Sequence, residues 1–68
     1  MKHSITPPLT TVEAAQYLNL KPSTLEVWRC QGRGPRFVRL GRSIRYRVKD
    51  LDEFMEKGLR TNTSEVAP

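Results

Sequence analysis

The first regular pattern along the chain is a set of apolar residues at helical spacing, preceded by a signal for the start of a helix. Thr10 and Glu13 have the spacing of a capping box, which predicts a helix from Thr11 to about Leu18. The apolar positions of this helix lie three residues apart and are Val12, Ala15 and Leu18. Because two helical turns do not persist alone in water, we expect this face to pack against a neighbouring element.

A second helix is predicted after a turn of three residues. Asn19 tolerates the left-handed backbone conformation that ends a helix, and we expect Leu20 to turn inward. Pro22 fits the first position of a new helix, where its missing N–H costs nothing, and Gly32 follows the predicted end at about Gln31. The predicted buried residues of this helix are Leu25 and Trp28.

Two short helices joined by a tight turn form a helix-turn-helix pattern, which leaves the outer face of the second helix free. That face holds Ser23, Thr24, Glu26, Val27 and Cys30. In a DNA major groove, Glu26 could accept a hydrogen bond from a cytosine amino group and Val27 could meet a thymine methyl. Ser23 and Glu26 also have capping-box spacing, so a purely structural role at a helix start stays open.

Residues 36–47 alternate apolar with basic side chains, which is the pattern of strands with two unlike faces. Strands are predicted over residues 36–40 and 43–47, joined by a two-residue turn at Gly41 and Arg42. Two cross-strand pairs define the register: Phe37 with Tyr46, and Arg39 with Ile44. The face that joins the core is predicted to consist of Phe37, Ile44 and Tyr46. Pointing away from it are Arg45 and Arg47, with Arg42 at the tip.

A third helix is predicted over residues 49–57, with Gly58 as its stop. Its predicted apolar face consists of Leu51, Phe54 and Met55, and the acids that favour its N-terminus are Asp50, Asp52 and Glu53. The predicted fold class is therefore α+β, mainly α: a helix-turn-helix, a two-stranded hairpin wing and a C-terminal helix. We expect a flexible arm over residues 1–8, one domain over 9–58 and a disordered tail over 59–68.

Charge is concentrated in the middle of the chain. The formal net charge is +5, but the stretch from Arg29 to Lys49 contains eight basic residues and no acidic one. This basic block consists of Arg29, Arg33, Arg36, Arg39, Arg42, Arg45, Arg47 and Lys49. Because these cations repel one another unless an anion is bound, the block favours nucleic acid as the partner. A membrane surface fits less well, since the apolar residues of the hairpin are assigned to the core.

Several classes of protein are excluded by composition. One Cys and one His cannot form an intramolecular disulfide or supply the four ligands of a structural zinc site. No apolar stretch approaches the ~20 residues of a membrane span, and the N-terminus lacks the apolar run of a signal peptide. With no activated nucleophile, acid/base pair or phosphate loop, we expect no enzyme activity and no cofactor. The expected location is the cytoplasm.

The motifs occur in a recognisable order, and the chain from Leu9 to Leu59 resembles the small excisionase-type and AlpA-type DNA-binding proteins, relatives of the MerR-like DNA-binding domain. The residues that carry the resemblance are Leu9-Thr10, Glu13-Ala14-Ala15, Leu18, Ser23-Thr24-Leu25, Trp28, Gly32-Arg33-Gly34-Pro35, Phe37, Leu40-Gly41-Arg42, Tyr46-Arg47, Asp50-Leu51 and Phe54. Two positions depart from the pattern: Asn19 replaces a frequent Gly, and Lys21 replaces a capping Ser. Lack of a good N-cap costs about 0.5–2 kcal/mol.

The resemblance implies that the second helix enters the major groove while the wing lies along the backbone or the adjacent minor groove. The recognition-helix residues are then Ser23, Thr24, Glu26, Val27 and Arg29. The wing and backbone contacts are Lys21, Arg33, Arg36, Arg39, Arg42, Arg45, Tyr46 and Arg47.

The predicted partner is double-stranded DNA, and the resemblance offers two cellular roles. One is an excisionase, which binds and bends attachment-site DNA to direct an integrase, and the other is a small phage- or plasmid-linked transcriptional regulator. A third reading, from another class, is a protein-interaction module that recruits a recombinase or a polymerase. Because one such domain reads only about one half-site, further copies bound cooperatively on DNA are expected. RNA is disfavoured since the usual aromatic stacking platform is missing.

Overall fold

Three helices and a two-stranded antiparallel hairpin make up residues 6–59, the part of the chain that the structure, a computed structural model, describes. In chain order these elements are α1 (Thr11–Leu18), α2 (Pro22–Gln31), β1 (Val38–Leu40), β2 (Ser43–Arg45) and α3 (Val48–Lys57). The arrangement confirms the predicted mainly helical fold class with a hairpin wing. Residues 1–5 of the predicted arm and 60–68 of the predicted tail lie outside the described residues.

The predicted boundaries of α1 and α2 are confirmed, together with the local signals that set them. The Glu13 amide donates to Thr10 Oγ1 at 3.1 Å and the Thr10 amide donates to the Glu13 carboxylate at 2.9 Å, which completes the capping box. Asn19 ends α1 in the left-handed conformation at φ 59°. Pro22 begins α2 and Gly32 ends it at φ 74°, while Lys21 provides no side-chain cap.

The buried face of α1 differs from the predicted stripe by one position. Ala14 and Ala15 are fully buried, whereas Val12 is 52% exposed. Because α1 packs against both α2 and α3, alanine side chains allow these helices to approach more closely than valine would. The central core consists of Ala14, Ala15, Leu25, Tyr46 and Leu51, with Leu9, Leu18, Trp28 and Ile44 packed against it.

Three residues predicted to be inside are largely exposed. Leu20 does not turn into the core but lines an open groove together with Phe54 and Met55, and Met55 is itself exposed. Phe37 is also exposed at its edge, although its ring contacts that of Tyr46 with centroids 6.1 Å apart. At each of these positions the neighbouring elements leave part of the side chain uncovered.

The hairpin has the predicted turn and register but is shorter than expected. Arg39 pairs with Ile44 as predicted, and the ladder runs only from Val38 to Leu40 against Ser43 to Arg45. Tyr46 pairs instead with Leu9, since each amide donates to the other's carbonyl at 2.7 Å. The segment before α1 therefore pairs with the chain just after β2, and it ties the hairpin to the helices.

The connector between α2 and the hairpin, residues 32–35, lies directly against α2. A Cβ atom on Gly34, whose φ is 92°, would come within 3.0 Å of the Trp28 side chain. Trp28 in turn packs on Phe54 of α3 with ring centroids 5.5 Å apart. Glycine at this position lets the chain pass close to the indole and return toward the hairpin.

Helix α3 begins at Val48, one residue earlier than predicted. Its buried residues are Asp50 and Leu51, and the carboxylate of Asp50 is engaged by Arg47 just before the helix. Of the three acids predicted to favour the helix N-terminus, only Asp50 lies in the first turn, and Asp52 accepts a hydrogen bond from the Tyr17 hydroxyl of α1 at 2.6 Å. Between residues 6 and 59, none of the helices is long and apolar enough to cross a membrane.

Candidate nucleic-acid interface

The outer face of α2 is available to a ligand. Ser23, Glu26, Val27 and Cys30 are exposed there, and Thr24 is half-buried in the first turn. Glu26 forms no salt bridge with any residue between positions 6 and 59. Lys21 is exposed just before the helix and places a cation beside this face.

The tip of the hairpin presents arginines to solvent. Arg39 and Arg42 are exposed, and neither forms a salt bridge within the described part of the chain. Arg45 is half-buried, and its guanidinium donates to the carbonyl of Ile44 at 2.8 Å. Arg39 and Arg42 therefore remain free to pair with an anion, whereas Arg45 already uses one donor within the hairpin.

Arg47 differs from the other members of the basic block, because its guanidinium is directed at α3. Its Nε lies 2.7 Å from Asp50 Oδ2 and its second terminal nitrogen lies 3.2 Å from Asp50 Oδ1. Asp50 is only 3% exposed, while the Arg47 side chain is 51% exposed. The hydrogen bond and the charge of Asp50 raise the pKa of Arg47 above its ordinary value. The prediction that Arg47 points away from the core is corrected: α3 starts immediately after the hairpin and brings a carboxylate within reach.

Arg29 is also turned toward the hairpin, away from the outer face of its own helix. One terminal nitrogen donates to the Tyr46 hydroxyl at 2.9 Å, and the guanidinium carbon lies 5.7 Å from the centroid of the Phe37 ring. Tyr46 is 1% exposed, so its hydroxyl is occupied inside the protein. These contacts join α2 to the base of the hairpin. Sequence reasoning missed this pairing, because no local signal relates two positions that are 17 residues apart.

The remaining predicted contact residues lie around the connector. Arg33 is exposed and its guanidinium carbon lies 5.8 Å from the Trp28 ring centroid, a cation–π contact. Arg36 is exposed. The structure therefore separates the predicted contact residues into side chains with no contact partner among the residues described and side chains held by neighbours. The second group consists of Arg29, Arg33, Arg45, Tyr46 and Arg47.

No group of three or more His, Cys, Asp and Glu between residues 6 and 59 is placed to hold a metal ion. Cys30 is a free, exposed thiol on the outer face of α2.

Two helices joined by a tight turn, with an exposed second helix beside a basic hairpin, define the class of winged helix-turn-helix domains. Residues 8–59 match the family model described as helix-turn-helix domain, and the chain belongs to this family. The match supports a small helix-turn-helix protein that binds DNA in a sequence-specific manner, in a family that is typically non-enzymatic. A comparison with curated proteins finds no match.

Proposed function

We propose that the chain is an excisionase-like protein, which binds and bends attachment-site DNA and thereby directs an integrase. The observation that carries DNA binding is the presence of two exposed surfaces on elements that are joined to each other. The outer face of α2 is exposed, and the hairpin presents Arg39 and Arg42, which have no carboxylate partner within residues 6–59. Helix and hairpin are joined through Arg29 and Tyr46, so the two surfaces meet DNA as one unit.

Base reading is assigned to α2. Glu26 and Val27 are exposed on its outer face and suit, respectively, a cytosine amino group and a thymine methyl. Ser23 at the start of the helix is exposed as well, whereas half-buried Thr24 has less surface to offer. Because α2 offers few side chains for base contacts, we expect one copy to bind with modest sequence specificity. This favours several copies bound on neighbouring sites.

Positioning is assigned to the arginines of the hairpin tip. Arg39, Arg42 and Arg45 supply planar guanidinium groups, which bind phosphate oxygens in a bidentate manner. A wing that lies in the adjacent minor groove is best accommodated by a bent duplex, because bending lets more of the protein contact the DNA. Bending is the property that an excision factor needs in order to arrange an integrase on its site.

A salt titration tests the DNA-binding mechanism. If about six phosphates are neutralised, the logarithm of the binding constant should fall with the logarithm of salt concentration at a slope of about −5. The measurement is fluorescence anisotropy with a duplex obtained by selection from random DNA. A flat salt dependence would contradict phosphate contacts as the main source of affinity.

A mapping experiment separates excision from regulation. Binding sites selected in vitro should map to an attachment site beside an integrase gene, and addition of the protein should increase integrase-dependent excision of that site. Sites confined to a divergent promoter, with no effect on excision, would instead favour a small phage- or plasmid-linked transcriptional regulator. If the chain instead recruits a recombinase or a polymerase, deletion of residues 59–68 should abolish capture of that partner and leave the DNA affinity unchanged.

A further inference from the structure

A concave pocket of about 420 Å³ lies where the end of α2, the connector and the start of α3 meet. It is bounded at the hairpin base by Phe37, which precedes β1, and by Arg47, which follows β2. Four arginines line it, and we call it the arginine pocket: Arg29, Arg33, Arg36 and Arg47. It is distinct from the hairpin tip, where the arginines stand on an open strand pair.

Three of these four arginines are held in place by the protein itself. Arg29 is fixed by the Tyr46 hydroxyl, Arg47 by the Asp50 carboxylate, and Arg33 lies over the Trp28 ring. Arg36 is exposed and makes no hydrogen bond or salt bridge with the residues described. A ligand that binds here therefore meets side chains that have already lost much of their conformational freedom, which lowers the entropic cost of binding.

The charge around the arginine pocket calls for an anion. Asp50 is the one carboxylate that lines it, and both of its oxygens are engaged by Arg47. Four guanidinium groups and one carboxylate leave a net charge of +3 around a single pocket. Such a cluster raises the affinity for an oxyanion, and guanidinium forks match the geometry of a phosphate group.

We propose that the arginine pocket binds one phosphate of the DNA backbone and thereby sets the position of α2 in the major groove. This inference rests on the proposed function. When α2 occupies the major groove and the wing the adjacent minor groove, the sugar-phosphate strand that divides the two grooves must pass between them. The pocket is lined by the end of α2, by the connector and by the residues that flank the hairpin, so it is placed to receive this strand. The contact carries no sequence information but fixes the register in which α2 reads the bases.

Paired substitutions and single neutral linkages in the DNA test the proposal. The probe is the duplex selected by the wild-type protein, synthesised with one uncharged methylphosphonate linkage at a time along each strand. Arg36→Ala is the first variant because this side chain has no structural contact to lose, and R33A/R36A is the second. Lys57→Ala is the matched control, since it removes one positive charge from α3 outside the proposed interface.

We expect R36A to weaken binding about tenfold and R33A/R36A about a hundredfold, the range for lost charge-assisted hydrogen bonds. K57A should change affinity less than about twofold, as for an exposed charge outside the interface. One methylphosphonate position should weaken wild-type binding strongly and should have a clearly smaller effect on R33A/R36A, in which only Arg29 and Arg47 still line the pocket. This loss of additivity identifies the phosphate in the pocket. Thermal unfolding of each variant shows that R36A remains folded.

Two results would overturn the proposal while leaving the proposed function intact. In the first, R33A/R36A binds DNA as tightly as K57A does, and the arginine pocket then serves another anion, such as an acidic side chain of a partner protein. In the second, the substitutions weaken binding but no single linkage couples to them, which indicates a diffuse charge effect. If the wild-type protein selects no duplex at all, the proposed function fails and the phosphate site fails with it.

Discussion

The base and the tip of the hairpin carry the same alternation of apolar and basic residues but use it in different ways. At the base, Tyr46 is fully buried and pairs with Leu9, and Arg47 is held by Asp50. At the tip, Arg42 is exposed and Leu40 has no core residue to cover it. The surroundings of a basic residue therefore determine how many of its hydrogen-bond donors the fold uses, and its place in the alternating pattern does not.

The largest difference between base and tip should appear when the buried ring is removed. Tyr46→Ala is expected to cost about 3–5 kcal/mol, as for other large aromatic core residues. A core of this size supplies only about 3–5 kcal/mol in total, so the variant should be mostly unfolded at 25 °C by circular dichroism. Tyr46→Phe keeps the ring and removes only the acceptor for Arg29, so it should lose about 1 kcal/mol. An unchanged unfolding midpoint for Y46A would show that the base is no more structural than the tip.

The buried carboxylate at the base gives a smaller effect. Asp50→Ala removes the acceptor of Arg47 from a nearly buried position, and the expected loss of stability in urea unfolding is about 1–3 kcal/mol. Glu56→Ala is the matched control, because it removes the same charge from an exposed position on the same helix, and it should change stability by less than about 0.5 kcal/mol. Equal losses in the two variants would mean that the Arg47–Asp50 pair contributes nothing beyond net charge.

At the tip, the effect should move from stability to DNA affinity. Arg42→Ala should change the free energy of unfolding by less than about 0.5 kcal/mol, since the side chain is exposed. It should also reduce the magnitude of the slope of log binding constant against log salt concentration by about 1, as expected for the loss of one phosphate contact. Arg47→Ala provides the comparison within the hairpin, and we expect it to lower the unfolding temperature where R42A does not. A lower unfolding temperature for R42A with an unchanged salt slope would reverse the assignment of tip and base.

The smallest effect is expected for the Tyr17–Asp52 hydrogen bond, which lies at the surface, whereas the bond from Arg29 to Tyr46 is part-buried. Tyr17 donates to Asp52 at the surface, and this hydrogen bond raises the pKa of Tyr17, with burial and the charge of Asp52 acting in the same direction. The folded state therefore holds the tyrosine proton more tightly than the unfolded chain does. Stability from this contact is complete below the unfolded pKa of about 10 and is lost as pH rises through the folded value.

Urea unfolding between pH 9 and pH 11 measures this effect, with Tyr17→Phe as the reference. The wild-type protein should lose more stability over this range than Y17F does. Parallel curves for the two proteins would show that the Tyr17–Asp52 contact makes no contribution in solution.

The order of the helices, the limits of α1 and α2, the hairpin turn and its register could all be predicted from the sequence alone. These features depend on interactions within a few residues: Thr10 caps with Glu13, Asn19 and Gly32 adopt left-handed conformations, and Pro22 starts a helix. The basic block was equally visible, because charge is read directly from composition. Local rules of backbone geometry and capping do not require knowledge of the neighbours in space.

Which positions turn inward and which arginines remain free depends on how the elements pack together in three dimensions. Helical period relates Val12 to Ala15 but does not select the buried face, and the closer approach permitted by Ala14 settles that selection. The contacts from Arg29 to Tyr46 and from Leu9 to Tyr46 join residues far apart in the chain, and no local rule anticipates them. Availability for DNA depends on such contacts because a guanidinium already paired within the fold has fewer hydrogen bonds left for a phosphate.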